Sequence, residues 1–141
     1  MDFDGAFFDT SDFIMTKQKL GEGKFGKVYV VVKESDDTKY ACKIININGV
    51  FSGHDQMLLM RESLILHKLN HPCIVKFYGI NFHSFLYPSR LEPTLLTEYL
   101  QNGSLKKILD NEKESIADSN WNPTKKYICL LGIVDAMRYL H

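Results

Sequence analysis

The chain has 141 residues, 45% of them hydrophobic and 12% aromatic, a composition that suits one globular domain with a modest core and excludes a disordered chain. Its 17 basic residues balance 17 acidic ones, so neither nucleic acid nor an anionic membrane is indicated as the main partner. The three scattered cysteines, Cys42, Cys73 and Cys129, fit neither a disulfide framework nor the Cys/His spacing of a zinc site, and they point to a reducing, cytoplasmic setting.

The N-terminus, Met1-Asp2-Phe3-Asp4, is acidic and lacks the apolar run of a signal peptide, and no stretch reaches the length of a membrane span. Residues 1–12 are expected to form a flexible leader rich in Phe and Asp. Phe13 to Leu20 has extended character and enters Gly21-Glu22-Gly23-Lys24-Phe25-Gly26. Glycines at this spacing let a backbone bend tightly and come close to a ligand. Amides exposed in such a turn suit phosphate oxygens. In dinucleotide-binding folds a helix must follow the loop. Here Val28-Tyr29-Val30-Val31-Val32 follows, a β-branched and aromatic run that predicts a strand. The glycines therefore mark a hairpin tip. Glu34 to Thr38 is a polar turn, and a third strand over Lys39 to Ile47 completes an antiparallel meander.

Period two places Ala41, Lys43 and Ile45 on one face of that third strand, and Tyr40, Cys42 and Ile44 on the other. Lys43 thus has small and apolar neighbours. It is either an edge-strand lysine that reaches out to water or a cation held inside. After a turn over Asn48 to Gly53, a helix is predicted from about Asp55 to Leu69, with Ser52 or His54-Asp55 as its start signal. At helical periodicity Leu58, Leu59, Ile65, Leu66 and Leu69 form an apolar stripe with Glu62 in its middle. A carboxylate there is costly unless paired. Either the helix is rotated and Glu62 stands at the edge of the stripe, or Glu62 pairs with Lys43. The second reading explains both residues at once.

Asn70-His71-Pro72 ends the helix. A fourth strand is expected over Ile74 to Phe82, an irregular loop over His83 to Pro93, and a buried fifth strand over Thr94 to Leu100. Gln101-Asn102-Gly103 breaks the chain, and Ser104 caps a short helix through about Glu112. Lys113 to Asn122 is a polar connector. The last helix starts at Pro123 or Thr124. It is apolar at nearly every angle, through Tyr127, Ile128, Leu130, Leu131, Ile133, Val134, Met137 and Leu140, the pattern of a helix surrounded by protein.

The order of Gly-rich hairpin, strand lysine, helix glutamate, two strands and Gly-containing connector resembles the N-terminal lobe of the eukaryotic protein kinases. Gly21-x-Gly23-x-Phe25-Gly26-x-Val28 looks like the phosphate-covering loop of that family. Ala41-Cys42-Lys43 resembles its lysine strand, Arg61-Glu62 its helix glutamate, and His71-Pro72-Cys73-Ile74-Val75 its turn into the fourth strand. Thr97-Glu98-Tyr99-Leu100-Gln101-Asn102-Gly103-Ser104-Leu105 resembles the hinge, and Tyr139-Leu140-His141 the end of the helix before the catalytic loop. Phe77-Tyr78-Gly79 and Asn102-Gly103-Ser104-Leu105 have the flavour of tyrosine kinases and tyrosine-kinase-like serine/threonine kinases.

The resemblance implies an α+β fold: a five-stranded antiparallel sheet with one packed helix over 13–100, then the hinge and the first helices of an incomplete helical lobe over 101–141. It implies ATP as cofactor. Gly21, Gly23 and Gly26, with Glu22 and Lys24 between them, would cover the phosphates, and Phe25 would exclude water. Lys43 would hold phosphate oxygens and Glu62 would hold Lys43, as the catalytic pair. Leu20, Val28, Ala41 and Leu105 would sandwich adenine, with Thr97 at the back of its pocket. The backbone of Glu98 and Leu100 would bond its edge, and Ser104 would reach the ribose. Leu66 and Phe77 would stack in the column that seats the helix. The family continues into H-R-D-x-x-x-x-N and D-F-G, and neither is in this chain. Mg²⁺ is therefore expected for the complete kinase, with no metal ligands here, since Asp110, Asp118 and Asp135 stand in no context to replace them. The chain alone is expected to be inactive. The partners implied are ATP and, for the complete kinase, a protein substrate in signalling. The alternative is a non-catalytic nucleotide-binding or interaction module that uses the apolar helix 124–141 for a partner or a second copy.

Overall fold

The computed structural model describes residues 5–47 and 49–141. Positions 1–4 of the expected leader, and Asn48 of the turn after the third strand, lie outside the described residues. Five strands form one sheet: β1 (Phe13–Gly23), β2 (Gly26–Lys33), β3 (Lys39–Ile45), β4 (Phe77–His83) and β5 (Leu91–Glu98). Their order is β1-β2-β3-β5-β4, and all neighbours are antiparallel. The helices are α1 (Gly53–Lys68), α2 (Leu105–Lys113) and α3 (Pro123–Leu140). Residues 5–70 and 75–99 make one compact unit, and 71–74 with 100–141 make a second.

The meander follows from the sequence: β-branched β2 pairs on both sides, with β1 and β3. The fifth strand begins earlier than expected, at Leu91, because Pro93 is accommodated rather than excluded. Between the pairs Asn81↔Thr94 and His83↔Leu91, two residues of β5 face one of β4. Such a bulge leaves a residue outside the ladder, where a proline without an N–H does no harm. β4 begins later than expected because His71 to Ile74 is a turn, with the Ile74 N–H donating to the His71 carbonyl at 3.1 Å.

One sheet face carries the main core. Val31, Cys42 and Leu96 are buried there, flanked by Phe8, Phe13, Met15, Tyr40, Tyr78 and Phe85. The Phe8–Phe13, Phe13–Tyr40 and Tyr40–Tyr78 rings meet edge to face at 5.5, 5.6 and 4.9 Å, the geometry the aromatic quadrupole favours. Burial pushes the Cys42 thiol up to about 12, with Glu92 adding to the shift. The unfolded thiol ionises near 8.5 and the folded one does not, so the unfolded state binds fewer protons above that pH. Stability should therefore fall as pH rises from about 8.5 toward 12, by up to about 1.4 kcal/mol per pH unit from this group. Urea unfolding at pH 8 and pH 10 measures the loss, and Cys42→Ala should remove its share.

Phe8 belongs to a segment that corrects the expectation of a loose leader. The Ile80 N–H donates to the Ala6 carbonyl at 2.8 Å, and the Phe8 N–H to the Ile80 carbonyl at 3.2 Å. Asn81 Nδ2 donates to the Phe8 carbonyl at 2.6 Å. Phe7 bridges Ile80 in parallel, and Thr10–Asp12 form a 3-10 turn capped by Asp9. This segment covers the outer edge of β4. The phenylalanines, rather than the aspartates, decide its behaviour, because burying a ring outweighs keeping two exposed carboxylates in water.

α1 is also corrected. Of the two expected start signals Ser52 is the cap, in a reciprocal box with Asp55. Its inward positions, however, are Gln56, Leu59, Met60, Ser63 and Leu64, while Leu58, Ile65 and Leu66 are exposed. Ser63 is 1% exposed, and its hydroxyl donates to the Leu59 carbonyl at 2.7 Å. The small, internally satisfied serine lets the helix come close to its neighbour, so the buried seam centres on a residue that hydropathy does not mark. Phe77 is buried as expected, but its ring neighbour is His67 at 6.4 Å, and Leu66 is left outside.

In the second unit, Ser104 caps α2 by accepting from the Lys107 N–H at 3.3 Å, and Asn122 caps α3 by accepting from the Lys125 N–H at 3.0 Å. The connector expected to be merely solvated carries Trp121, whose Nε1 donates to Glu112 at 3.1 Å. Lys126 also donates to Glu112. These two donors, Lys126 foremost, hold the Glu112 carboxyl below its usual range. No residue of α3 is buried, and Ile128, Leu130, Leu131, Val134 and Met137 are exposed.

Candidate functional site: the glycine-rich hairpin and the Lys43 cavity

β1 and β2 meet in a tight hairpin, with Gly23 opposite Gly26 and Lys24-Phe25 at the tip. The three glycines have different reasons to be glycine. Gly26 has φ +149°, and a Cβ there would stand 2.0 Å from the Ile44 carbonyl oxygen. The fold itself demands it. At Gly21 and Gly23 a Cβ would meet nothing within 4 Å. The protein leaves that space open. Phe25 is 72% exposed at the tip, with the Lys24 ammonium 6.0 Å from its ring centre. Glu22 is engaged on the hairpin itself, 2.5 Å from Lys19 and 3.6 Å from Lys27. The Lys19 hydrogen bond, with the charges of Lys19 and Lys27, holds its carboxyl below the usual range.

The register brings several predicted residues to one face. Val28 pairs with Lys43, Val30 with Ala41, Ala41 with Thr97, and Lys43 with Leu95. Directly opposed residues share a face, so Val28, Ala41, Lys43 and Thr97 line one surface across β2, β3 and β5. The Thr97 hydroxyl lies 3.5 Å from the Ala41 carbonyl. At the end of β5, the Glu98 N–H is committed to the Lys76 carbonyl at 2.9 Å, and its carboxylate accepts from the Lys76 N–H at 2.7 Å. Leu20 is exposed on β1.

Lys43 opens into a cavity of about 320 Å³ lined by Lys24, Phe25, Lys43, Ile45, Asn46, Leu59, Glu62 and Leu95. Two ammonium groups against one carboxylate give it a positive balance, and apolar walls raise the strength of that field. The structure thus brings Lys43 and Glu62 to one cavity. It does not join them: among the described residues, the ion pairs within 4.0 Å are Lys19–Glu22, Lys27–Glu22, His71–Asp135, Lys106–Asp110 and Lys126–Glu112. The expected pair is absent because α1 is rotated about Ser63, which turns Glu62 to an exposed edge.

A model of the protein kinase domain matches residues 14–141. The chain belongs to the protein kinase family. It is 33% identical over 122 residues to human serine/threonine-protein kinase TNNI3K, covering 86% of this chain and 13% of that protein. It is 40% identical over 98 residues to Aurora kinase of Saccharomyces cerevisiae, covering 70% of this chain and 25% of the relative. It is 32% identical over 142 residues to cysteine-rich receptor-like protein kinase 44 of Arabidopsis thaliana, covering 100% of this chain and 34% of the relative. The chain therefore spans between 13% and 34% of the length of these kinases. Its sheet and α1 are those of a kinase N-terminal lobe, and α2 and α3 are the first helices of the C-terminal lobe. No helix among the described residues is long and apolar enough to cross a membrane.

Three predicted site residues of the kinase domain, Leu100, Ser104 and Leu105, stand in the second unit, where Ser104 is the cap of α2 and Leu105 its first residue. That unit also gathers His71, Cys73 and Asp135, whose ligand-type atoms lie within 4.8 Å of one another. Both ring nitrogens of His71 are already engaged: Nδ1 accepts from the Cys73 N–H at 3.1 Å, and Nε2 faces Asp135 at 3.2 Å. The ring proton therefore sits on Nε2, and the cluster is a hydrogen-bonded tie between the 71–74 turn and α3. Sequence reasoning missed Asn46, Leu59 and Leu95 as cavity residues. The meander register is the signal that would have found Asn46, since Gly26 pairs with Ile45 and so places the tip beside the next residue.

Proposed function

We propose that this chain is the ATP-binding part of a protein kinase that transfers phosphate to protein hydroxyls. The serine/threonine designation of TNNI3K favours Ser/Thr over Tyr. The observation that carries the reading is the open space at Gly21 and Gly23 on a hairpin whose tip, Lys24-Phe25, lines a cavity together with Lys43. Space that the fold does not use, beside two lysine ammonium groups that make no ion pair among the described residues, suits a polyphosphate. Gly21, Gly23 and the tip amides would receive phosphate oxygens, and Phe25 would shed water from them. Lys43 would neutralise charge, and Glu62 would orient it after a rotation of α1. Val28, Ala41 and Thr97 offer an apolar surface to adenine. Since the Glu98 N–H is spent on Lys76, its carbonyl is the group left for the adenine edge.

Glu62 is the one acid among the described residues lining that cavity. A lone carboxylate does not make a Mg²⁺ site, which needs further oxygen ligands in octahedral array. No step is therefore assigned to a metal on this chain, and with H-R-D-x-x-x-x-N and D-F-G outside it, no phosphoryl transfer is expected from it alone.

A thermal-shift titration with ATP tests the binding role. Ligand held by the folded state raises the midpoint with concentration. The rise should vanish in Lys43→Met, while the midpoint without ATP stays within a few degrees of wild type. A flat titration of the wild-type chain would refute the reading. The exposed apolar face of α3 supports a second role, contact with a partner or another copy, since large apolar patches rarely stay free. The same melting series run across protein concentrations reads it: a midpoint independent of concentration excludes self-association.

A further inference from the structure

We infer that Asn46 is a positioning residue that latches the tip of the glycine-rich hairpin to the end of β3 and so fixes the peptides that meet phosphate. This rests on the nucleotide-binding reading. Asn46 makes two bonds to consecutive tip carbonyls. Its backbone N–H donates to the Phe25 carbonyl at 3.2 Å, and its side-chain Nδ2 donates to the Lys24 carbonyl at 3.3 Å. Gly26, packed without a Cβ against the Ile44 carbonyl, supplies the close approach that makes both bonds reachable. A trans peptide holds its C=O and N–H on opposite sides. Fixing the Lys24 carbonyl therefore fixes the direction of the Phe25 N–H, and fixing the Phe25 carbonyl fixes that of the Gly26 N–H. Without the latch, an exposed two-residue tip would sample several orientations, and binding phosphate would have to order it.

The side chain must be short, neutral and a donor. Aspartate has the same shape but, ionised, only accepts, and it would repel the two carbonyls. Glutamine keeps the donor on a longer arm. The backbone half of the latch survives in every such variant, so the fold is retained.

The test uses the full chain. Backbone amide relaxation of Phe25 and Gly26 by NMR reads the latch, and calorimetric titration with ATP reads its consequence. Asn46→Asp and Asn46→Ala should lose order at the Phe25 amide, keep it at the Gly26 amide, leave the melting midpoint near wild type, and bind ATP roughly fivefold more weakly, the cost of ordering one tip peptide on binding. Asn46→Gln should lie nearer to wild type than Asn46→Asp does. A Phe25 amide as ordered in Asn46→Asp as in wild type would overturn the latch. A disordered Phe25 amide with unchanged ATP affinity would overturn the positioning role. A wild-type chain that binds no ATP would overturn the nucleotide reading and the positioning role with it, while the relaxation data would still decide whether Asn46 holds the tip.

Discussion

Gly26→Ala should cost on the order of 3 kcal/mol and lower the melting midpoint by roughly 10–15 °C, whereas Gly23→Ala, directly opposite on the paired strand of the same hairpin, should change stability by less than about 1 kcal/mol. The difference lies in what a methyl group would meet. At Gly26 it would be driven to 2.0 Å from a backbone carbonyl, with the Ile44 carbon and the Ile45 Cα also close, and the residue already has φ +149°. No side-chain rotation relieves a clash with backbone, so β2 must separate from β3 locally or the hairpin must tilt. At Gly23 the space is empty and φ is not in the left-handed region. Alanine also restricts the unfolded chain, which offsets part of any cost. Gly23→Ala should instead weaken ATP binding, because its methyl fills the space that the nucleotide reading reserves for phosphate. Melting curves with and without ATP separate the two outcomes. Equal destabilisation by both substitutions would show that the hairpin glycines are held for one structural reason.

The second large effect should be Leu96→Ala, at about 3 kcal/mol, against less than about 1 kcal/mol for Leu66→Ala. Leu96 is 1% exposed on β5 and packs with Val31 and Cys42 beneath the aromatic cluster. β5 is a central strand, hydrogen-bonded to β3 on one side and β4 on the other. Its backbone cannot move in to fill the hole, so the lost transfer free energy and the cavity add. Leu66 is 41% exposed on α1, and alanine is a better helix former than leucine. Urea unfolding measures both, with an unchanged denaturant slope showing that compactness is the same. Comparable losses from the two variants would restore Leu66 to the role of seating the helix and contradict the rotation of α1 about Ser63.

That rotation shows where sequence reasoning stops. Hydropathy placed α1, and the start signals narrowed its beginning to Ser52 or His54-Asp55, because both kinds of signal are local to the helix. The face it buries was misjudged. Leucines exceed what the seam can hold, and the contact is decided by how closely Ser63 lets the helix approach. The Lys43–Glu62 pairing was inferred from the same wrong face, although both residues do reach one cavity. The docking of residues 5–12 was equally out of reach, since it depends on an edge of β4 some 70 residues further along, where Ile80 and Asn81 receive it.

By itself the sequence determined the order of elements, the hairpin at the glycines, the shared face of Ala41 and Lys43, and the cap at Ser104. Each of these rests on a period or a hydrogen bond spanning a few residues. The tertiary structure alone decided which face of α1 is buried, which glycine the fold demands and which it leaves open, how Pro93 fits into a strand, and that Asn46 reaches the hairpin tip. Those outcomes depend on close packing between segments distant in the chain, where steric fit at the scale of one methyl group outweighs the average preference of any residue type.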